Sequence, residues 1–123
     1  MSIMLLVAVL PMNVRASCDD PVTTLEINDC AQQEFDKTEA ELNRVWKQVM
    51  GYLDELADEP DAAAAKAQLR TAQRTWVDYR EQDCQAVHTM HQSGSIRTLM
   101  YLGCKTSHAD RRTRELSEWL AEG

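Results

Sequence analysis

The side chains of this 123-residue sequence that could do chemistry are four cysteines, a close pair of histidines and twenty carboxylates. Cys18, Cys30, Cys84 and Cys104 could ligate a metal, act as nucleophiles or pair as disulfides. A four-thiolate zinc site is disfavoured, because no two of them have the close C-x-x-C spacing. His88 and His91 put two imidazoles on one helical face, a spacing that could bind zinc or copper. No third ligand is pinned nearby, although His108 could approach across a helical hairpin. Two histidines near a helix C-terminus also complement its dipole, so the reading is no metal and no cofactor. The sequence contains no Gly-x-Ser-x-Gly elbow, phosphate-cradling glycine loop or H-E-x-x-H pair, and an enzyme is not expected. With 20 Asp and Glu any two can be paired on paper, so their number identifies no acid–base couple.

The elements that must position these residues are helical. Phe35, Leu42, Val49 and Leu56 recur every seven residues, the seam of a helix packed along its length from about Leu25 to Leu56. Asp58-Glu59-Pro60-Asp61 interrupts it, because Pro cannot continue the backbone ladder, and Asp61 is placed to cap the next helix. This second helix restarts in Ala62 to Ala65 and runs to about Met90. On it Leu69, Ala72, Trp76 and Tyr79 share one face. Ser93-Gly94-Ser95 is a turn in which Gly supplies backbone freedom and Ser95 can cap a third helix, to about Ala121. That helix carries Leu99, Leu102, Leu116, Trp119 and Leu120, and the charged stretch 110–115 turns one arginine inward. Trp76, Tyr79 and Arg80 could form an exposed anchor patch. The alternative is preferred: both rings continue the core stripe, Arg80 pairs with a carboxylate or stacks on a ring, and Asn43 hydrogen-bonds across the interface.

Four cysteines allow three pairings. Cys84 lies ten residues before Gly94 and Cys104 ten after it, so antiparallel flanks bring the two sulfurs level. That selects Cys84–Cys104 and leaves Cys18–Cys30. The rival Cys30–Cys84 would be offset by roughly 9 Å at the helical rise per residue. The expected fold is an all-α, three-helix antiparallel bundle stapled by two disulfides.

Export agrees with this cysteine usage. Residues 3–10 are an apolar run of signal-peptide length, too short to span a bilayer as a helix. Val14-Arg15-Ala16 suits cleavage after Ala16, which makes 1–16 a signal peptide and 17–123 the domain. A buried N-terminal helix fits less well, since no polar face accompanies the run. An acylated Cys18 is disfavoured because Arg15 stands where a lipoprotein needs an aliphatic residue. The chain is therefore expected in the periplasm or secreted, with no membrane span after cleavage. Loss of 1–16 removes Arg15 and no acidic residue, which takes the net charge from −7 to −8. Such acidity disfavours nucleic acid and anionic membranes and favours solubility or a basic partner.

Leu42-Asn43 with Trp46, then Leu69-x-x-x-Gln73-x-x-Trp76-x-x-Tyr79-Arg80-x-x-x-Cys84, then Gly94-Ser95, Cys104, Arg112 and Leu116, resemble the LprI-like lysozyme-inhibitor family. The resemblance covers nearly the whole chain after Ala16. One departure is Ala109, where the family usually has Thr five residues past its last cysteine. The resemblance implies a small exported helical protein of the bacterial envelope, of a kind that includes inhibitors of lysozyme. Its motif residues Leu42, Asn43, Gln73, Trp76, Tyr79, Arg80, Gly94, Arg112 and Leu116 are read as structural. Partner contact is assigned instead to Asp54, Glu55, Asp58, Glu59 and Asp61, with Glu34, Asp36, Glu39 and Glu41 as a second acidic set. The partner is then lysozyme or another basic protein. A structural or adaptor protein of the envelope without inhibitory activity is the alternative.

Overall fold

The computed structural model describes residues 18–56 and 58–121. Met1 to Ala16, the expected signal peptide, lies outside them. Three helices follow in order: α1 (Thr24–Glu55), α2 (Ala62–Met90) and α3 (Arg97–Ala121). Consecutive helices run antiparallel, so α1 and α3 run parallel. Phe35 on α1 faces Lys105 on α3, and Ile27 shares a small pocket with Ile96 and Leu99.

Each helix end has a local cause, and the sequence pattern does not always name it. The α1 start is set by Thr23-x-x-Glu26: the Thr23 hydroxyl accepts from the Glu26 N–H at 3.1 Å, and the Glu26 carboxylate accepts from the Val22 N–H at 3.1 Å. This is a variant of the capping box, with the carboxylate bonded one residue before the N-cap, and its sequence signature is Thr followed three residues later by Glu. Asp61 does stand at the N-cap position of α2, but in αR conformation and with no side-chain cap bond. An N-cap carboxylate needs extended backbone to aim at the first free N–H groups, which αR does not provide. Ser95 is likewise not the cap of α3. That helix starts at Arg97, and the Ile96 carbonyl accepts from the Met100 N–H at 2.9 Å.

Nor does Gly94 use a glycine-only conformation. Among the described residues no glycine has positive φ, and a Cβ built at Gly94 meets nothing nearer than the His91 carbonyl oxygen at 3.6 Å. Gly94→Ala should therefore change the unfolding free energy by less than about 1 kcal/mol, with any shift toward stabilisation through the less flexible unfolded chain. A loss above about 2 kcal/mol in a urea titration would contradict this.

The core is one cluster of Leu42, Val45, Val49, Met50, Leu53, Leu69, Ala109 and Leu116, with Trp46, Tyr52, Trp76 and Leu120 packed around it. Its axis is the α1–α3 pair. The seven-residue seam on α1 meets a second one on α3, made by Leu102, Ala109 and Leu116. Ala109 is 0 % exposed. A methyl there lets the two backbones approach, and a longer side chain would overpack the seam. The bundle is not symmetric: α2 lies mainly on α3 and meets α1 over a smaller area. That asymmetry explains two departures from the predicted stripe. Ala72 is exposed, and Tyr79 is 58 % exposed, because the face of α2 opposite α1 is left partly open. Trp119 of α3 lies beside Leu69 and Ala72 of α2 and is 37 % exposed.

Both disulfides are formed. Cys18–Cys30 has Cα atoms 5.5 Å apart and ties the extended N-terminal segment to α1. Cys84–Cys104, at 5.6 Å, joins α2 to α3.

Candidate functional site

Charged residues at the α2 interfaces form a polar spine inside the bundle. Arg80 on α2, only 5 % exposed, reaches α1 and donates two hydrogen bonds to the Glu39 carboxylate, at 2.7 and 2.9 Å. Its guanidinium also lies 4.5 Å from the Trp76 ring centroid and 5.6 Å from that of Phe35. Lys105 approaches the same Phe35 ring at 4.6 Å, so one ring faces two cations. Glu81 offsets the second cation: it lies 3.7 Å from the Lys105 amine and accepts from the Tyr101 hydroxyl at 2.8 Å. Lower in the bundle the Arg112 Nε donates to Gln73 Oε1 at 2.9 Å and its terminal nitrogen pairs with Glu115. Arg112 is thus the inward arginine of the charged stretch in α3.

The hydrogen bonds from Gln85 and then Tyr101 hold the Glu81 carboxyl below the usual carboxylate range. Burial, reinforced by Glu81, pushes the Tyr101 phenol up. The signs differ at the two ends of the pH scale. Glu81's contribution is present above the ordinary carboxylate value and is lost as pH falls through its lowered one. Tyr101's is present below the ordinary phenol value of about 10 and is lost as pH rises through its raised one. Tyr101→Phe should therefore flatten the alkaline fall in stability, read as thermal midpoint against pH. An alkaline limb as steep as that of the parent chain would refute the assignment.

The motif residues separate into two groups. Leu42 and Leu116 are buried core, Gln73 and Arg112 are bonded to each other, Trp76 carries Arg80, and Gly94 lies in the turn. Asn43 and Tyr79 point outward. Asn43 is exposed rather than bonded across the interface, because it lies one residue past the buried Leu42 and about 100° round the helix. Tyr79 sets its ring edge-on to His108 at 5.5 Å.

The two histidines of the pair face different partners. His91 Nδ1 bonds the Val87 carbonyl at 2.9 Å, and His88 packs edge-on against Tyr101. His108 instead reaches Asp83, with Nε2 and Oδ2 2.5 Å apart, beside the Cys84–Cys104 bridge.

Asp54, Glu55, Asp58, Glu59 and Asp61 gather at the α1–α2 turn, and all five are exposed. Asp54 is engaged by Lys66 across the turn. The other four make no ion pair among the described residues. Asp54 and Glu55 occupy the last turn of α1, where the helix dipole is already negative, the turn itself holds no basic residue, and only Asp54 is offset, by Lys66 of α2. This placement costs stability and leaves a concentrated negative end. The second acidic set is largely used internally, with Glu39 on Arg80 and Glu41 on Arg44.

A family model described as lysozyme inhibitor LprI matches residues 16–116. The chain belongs to the LprI family. A relative in Rhizobium meliloti (strain 1021), called an uncharacterized protein, is 32 % identical over 108 residues, covering 84 % of this chain and 78 % of that one. The uncharacterized protein YecT of Escherichia coli (strain K12) is 24 % identical over 106 residues, covering 80 % of this chain and 65 % of its own length. No solved structure matches the chain. The LprI match spans both helical hairpins and every residue of the interior spine. Among the described residues no helix is long and apolar enough to cross a membrane.

Proposed function

We propose that this LprI-family protein is an exported binding protein of the bacterial envelope that blocks a basic lysozyme. The observation that carries the reading is the family match over residues 16–116. The surface assigned to the contact is the acidic end at the α1–α2 turn, where Glu55, Asp58, Glu59 and Asp61 are exposed and make no ion pair among the described residues. Such an end would be drawn to a cationic lysozyme surface and, once seated, cover its cleft without chemistry of its own. The protein is accordingly read as an inhibitor and not an enzyme, acting in the periplasm or outside the cell, with no nucleic-acid partner.

The test is lysozyme turnover of cell-wall substrate with and without the chain. Inhibition should fall as salt rises, because exposed charges are screened beyond about 8 Å at physiological ionic strength. Neutralising the end by Glu55→Gln, Asp58→Asn, Glu59→Gln and Asp61→Asn should weaken inhibition at least tenfold while leaving the thermal midpoint nearly unchanged. Inhibition indifferent to both salt and the four substitutions would refute the assigned surface, and no inhibition at all would refute the function.

A second reading, an envelope adaptor, is favoured by the opposite end. Val22, Leu25, Met90 and Ile96 are all exposed there, where α1 begins and the α2–α3 turn lies. Capture of one envelope protein that is lost on Leu25→Ser with Met90→Ser would support it.

A further inference from the structure

The Cys84–Cys104 bridge has two neighbours that a structural disulfide does not need. Asp83, Cys84, Cys104 and His108 each present a ligand atom, and the four atoms lie within 4.8 Å of one another. Two come from adjacent positions on α2. The other two are a Cys-x-x-x-His pair on α3, whose four-residue spacing keeps them on one helical face. Cys84 and His108 are buried, at 0 and 7 % exposure, while the Asp83 side chain is 45 % exposed and open to solvent.

We propose that these four residues form a binding site for a zinc-class divalent cation that opens when the Cys84–Cys104 disulfide is reduced. Two thiolates, one imidazole and one carboxylate are a donor set suited to tetrahedral Zn²⁺. In the bridged state the sulfurs are poor ligands, and His108 and Asp83 satisfy each other by a hydrogen bond. A dithiol reductant would pass two electrons and two protons to the bridge. It becomes a disulfide itself, and Cys84 and Cys104 become thiols. The cation then displaces the two thiol protons and replaces the hydrogen-bonding proton between His108 and Asp83. Seating it requires the sulfurs to move to about 3.8 Å apart, from a zinc–sulfur distance of about 2.3 Å in tetrahedral geometry. All four ligands stand on two packed helices, so side-chain rotation suffices. Arg111, which contacts the other ring nitrogen of His108 at 3.3 Å, is exposed and free to swing aside. The metal would thus tie α2 to α3 in place of the bridge. This site is distinct from the acidic end and independent of any inhibition.

The experiment uses the full chain carrying Cys18→Ser and Cys30→Ser, so that one cysteine pair remains. Reduced anaerobically with a phosphine and titrated with Co²⁺, it should bind one ion per chain. A thiolate-to-cobalt charge-transfer band and tetrahedral d–d bands should appear, and Zn²⁺ should abolish both. The bridged form should bind none. Asp83→Asn, at an exposed position that keeps the fold, and His108→Gln should each weaken binding at least tenfold. Absence of the bands at stoichiometric Co²⁺, or equal affinity in both variants and the parent, overturns the proposal. So does a reduced chain that has lost helix and regains none on addition of Zn²⁺.

Discussion

Glu39→Ala should lower the stability of the bundle by about 3 kcal/mol, because it strands a guanidinium that has no other carboxylate within reach. Arg80 is 5 % exposed and held by two hydrogen bonds to Glu39. Glu81, the next residue on α2, is already shared by Gln85, Tyr101 and Lys105. Without Glu39 the Phe35 ring would face the Arg80 and Lys105 cations with one counter-charge instead of two. The cation–π contact with Trp76 offsets only a part, since such contacts contribute about 1–2 kcal/mol when desolvated. For a domain of this size the loss corresponds to a fall of about 15 °C in thermal midpoint. The reverse substitution should cost less. Arg80→Met keeps the apolar stem and leaves Glu39, whose side chain is 28 % exposed, able to rehydrate. Calorimetry that found Arg80→Met as damaging as Glu39→Ala would sink the stranded-charge explanation and point to packing.

Opening the Cys84–Cys104 bridge by paired alanine substitution should cost about 3–4 kcal/mol, and opening Cys18–Cys30 markedly less. Chain entropy alone does not separate them. Their sequence separations of 20 and 12 residues give nearly equal values of about 3 kcal/mol each. The native state makes the difference. Cys84 is fully buried and its bridge joins two packed helices, so its loss also leaves a small cavity. Cys18 lies in an exposed terminal segment before α1, which can detach without disturbing the core, and this caps the cost of freeing it. The check is urea unfolding of both paired variants in chelator-containing buffer. Equal midpoints would show that the terminal segment is integral to the cooperative unit.

Three helices, their order and their crosslinks are all legible in the chain before it folds. Each of these rests on local regularities. The seven-residue seam through Phe35, Leu42 and Val49 defines α1, Pro60 ends it, and equal arms about Gly94 align Cys84 with Cys104. The acidic end is legible too, since its five carboxylates lie within eight residues of chain. Which polar groups meet is settled by helix packing instead. Arg80 needs one partner among twenty carboxylates, and its choice of Glu39, 41 residues away, comes from the rotation and register of α2 against α1. Asn43 is exposed simply because it follows the buried Leu42 on α1, whereas the same rotation leaves Tyr79 of α2 outward. It also brings His108 beside Asp83 and the bridge, although Cys104 and His108 are already one helical turn apart in the chain. The division has a physical cause: periodicity is a property of one helix, whereas the angle at which two helices face each other depends on the packing of both. Ala109, fully buried in the α1–α3 seam, is one such packing position.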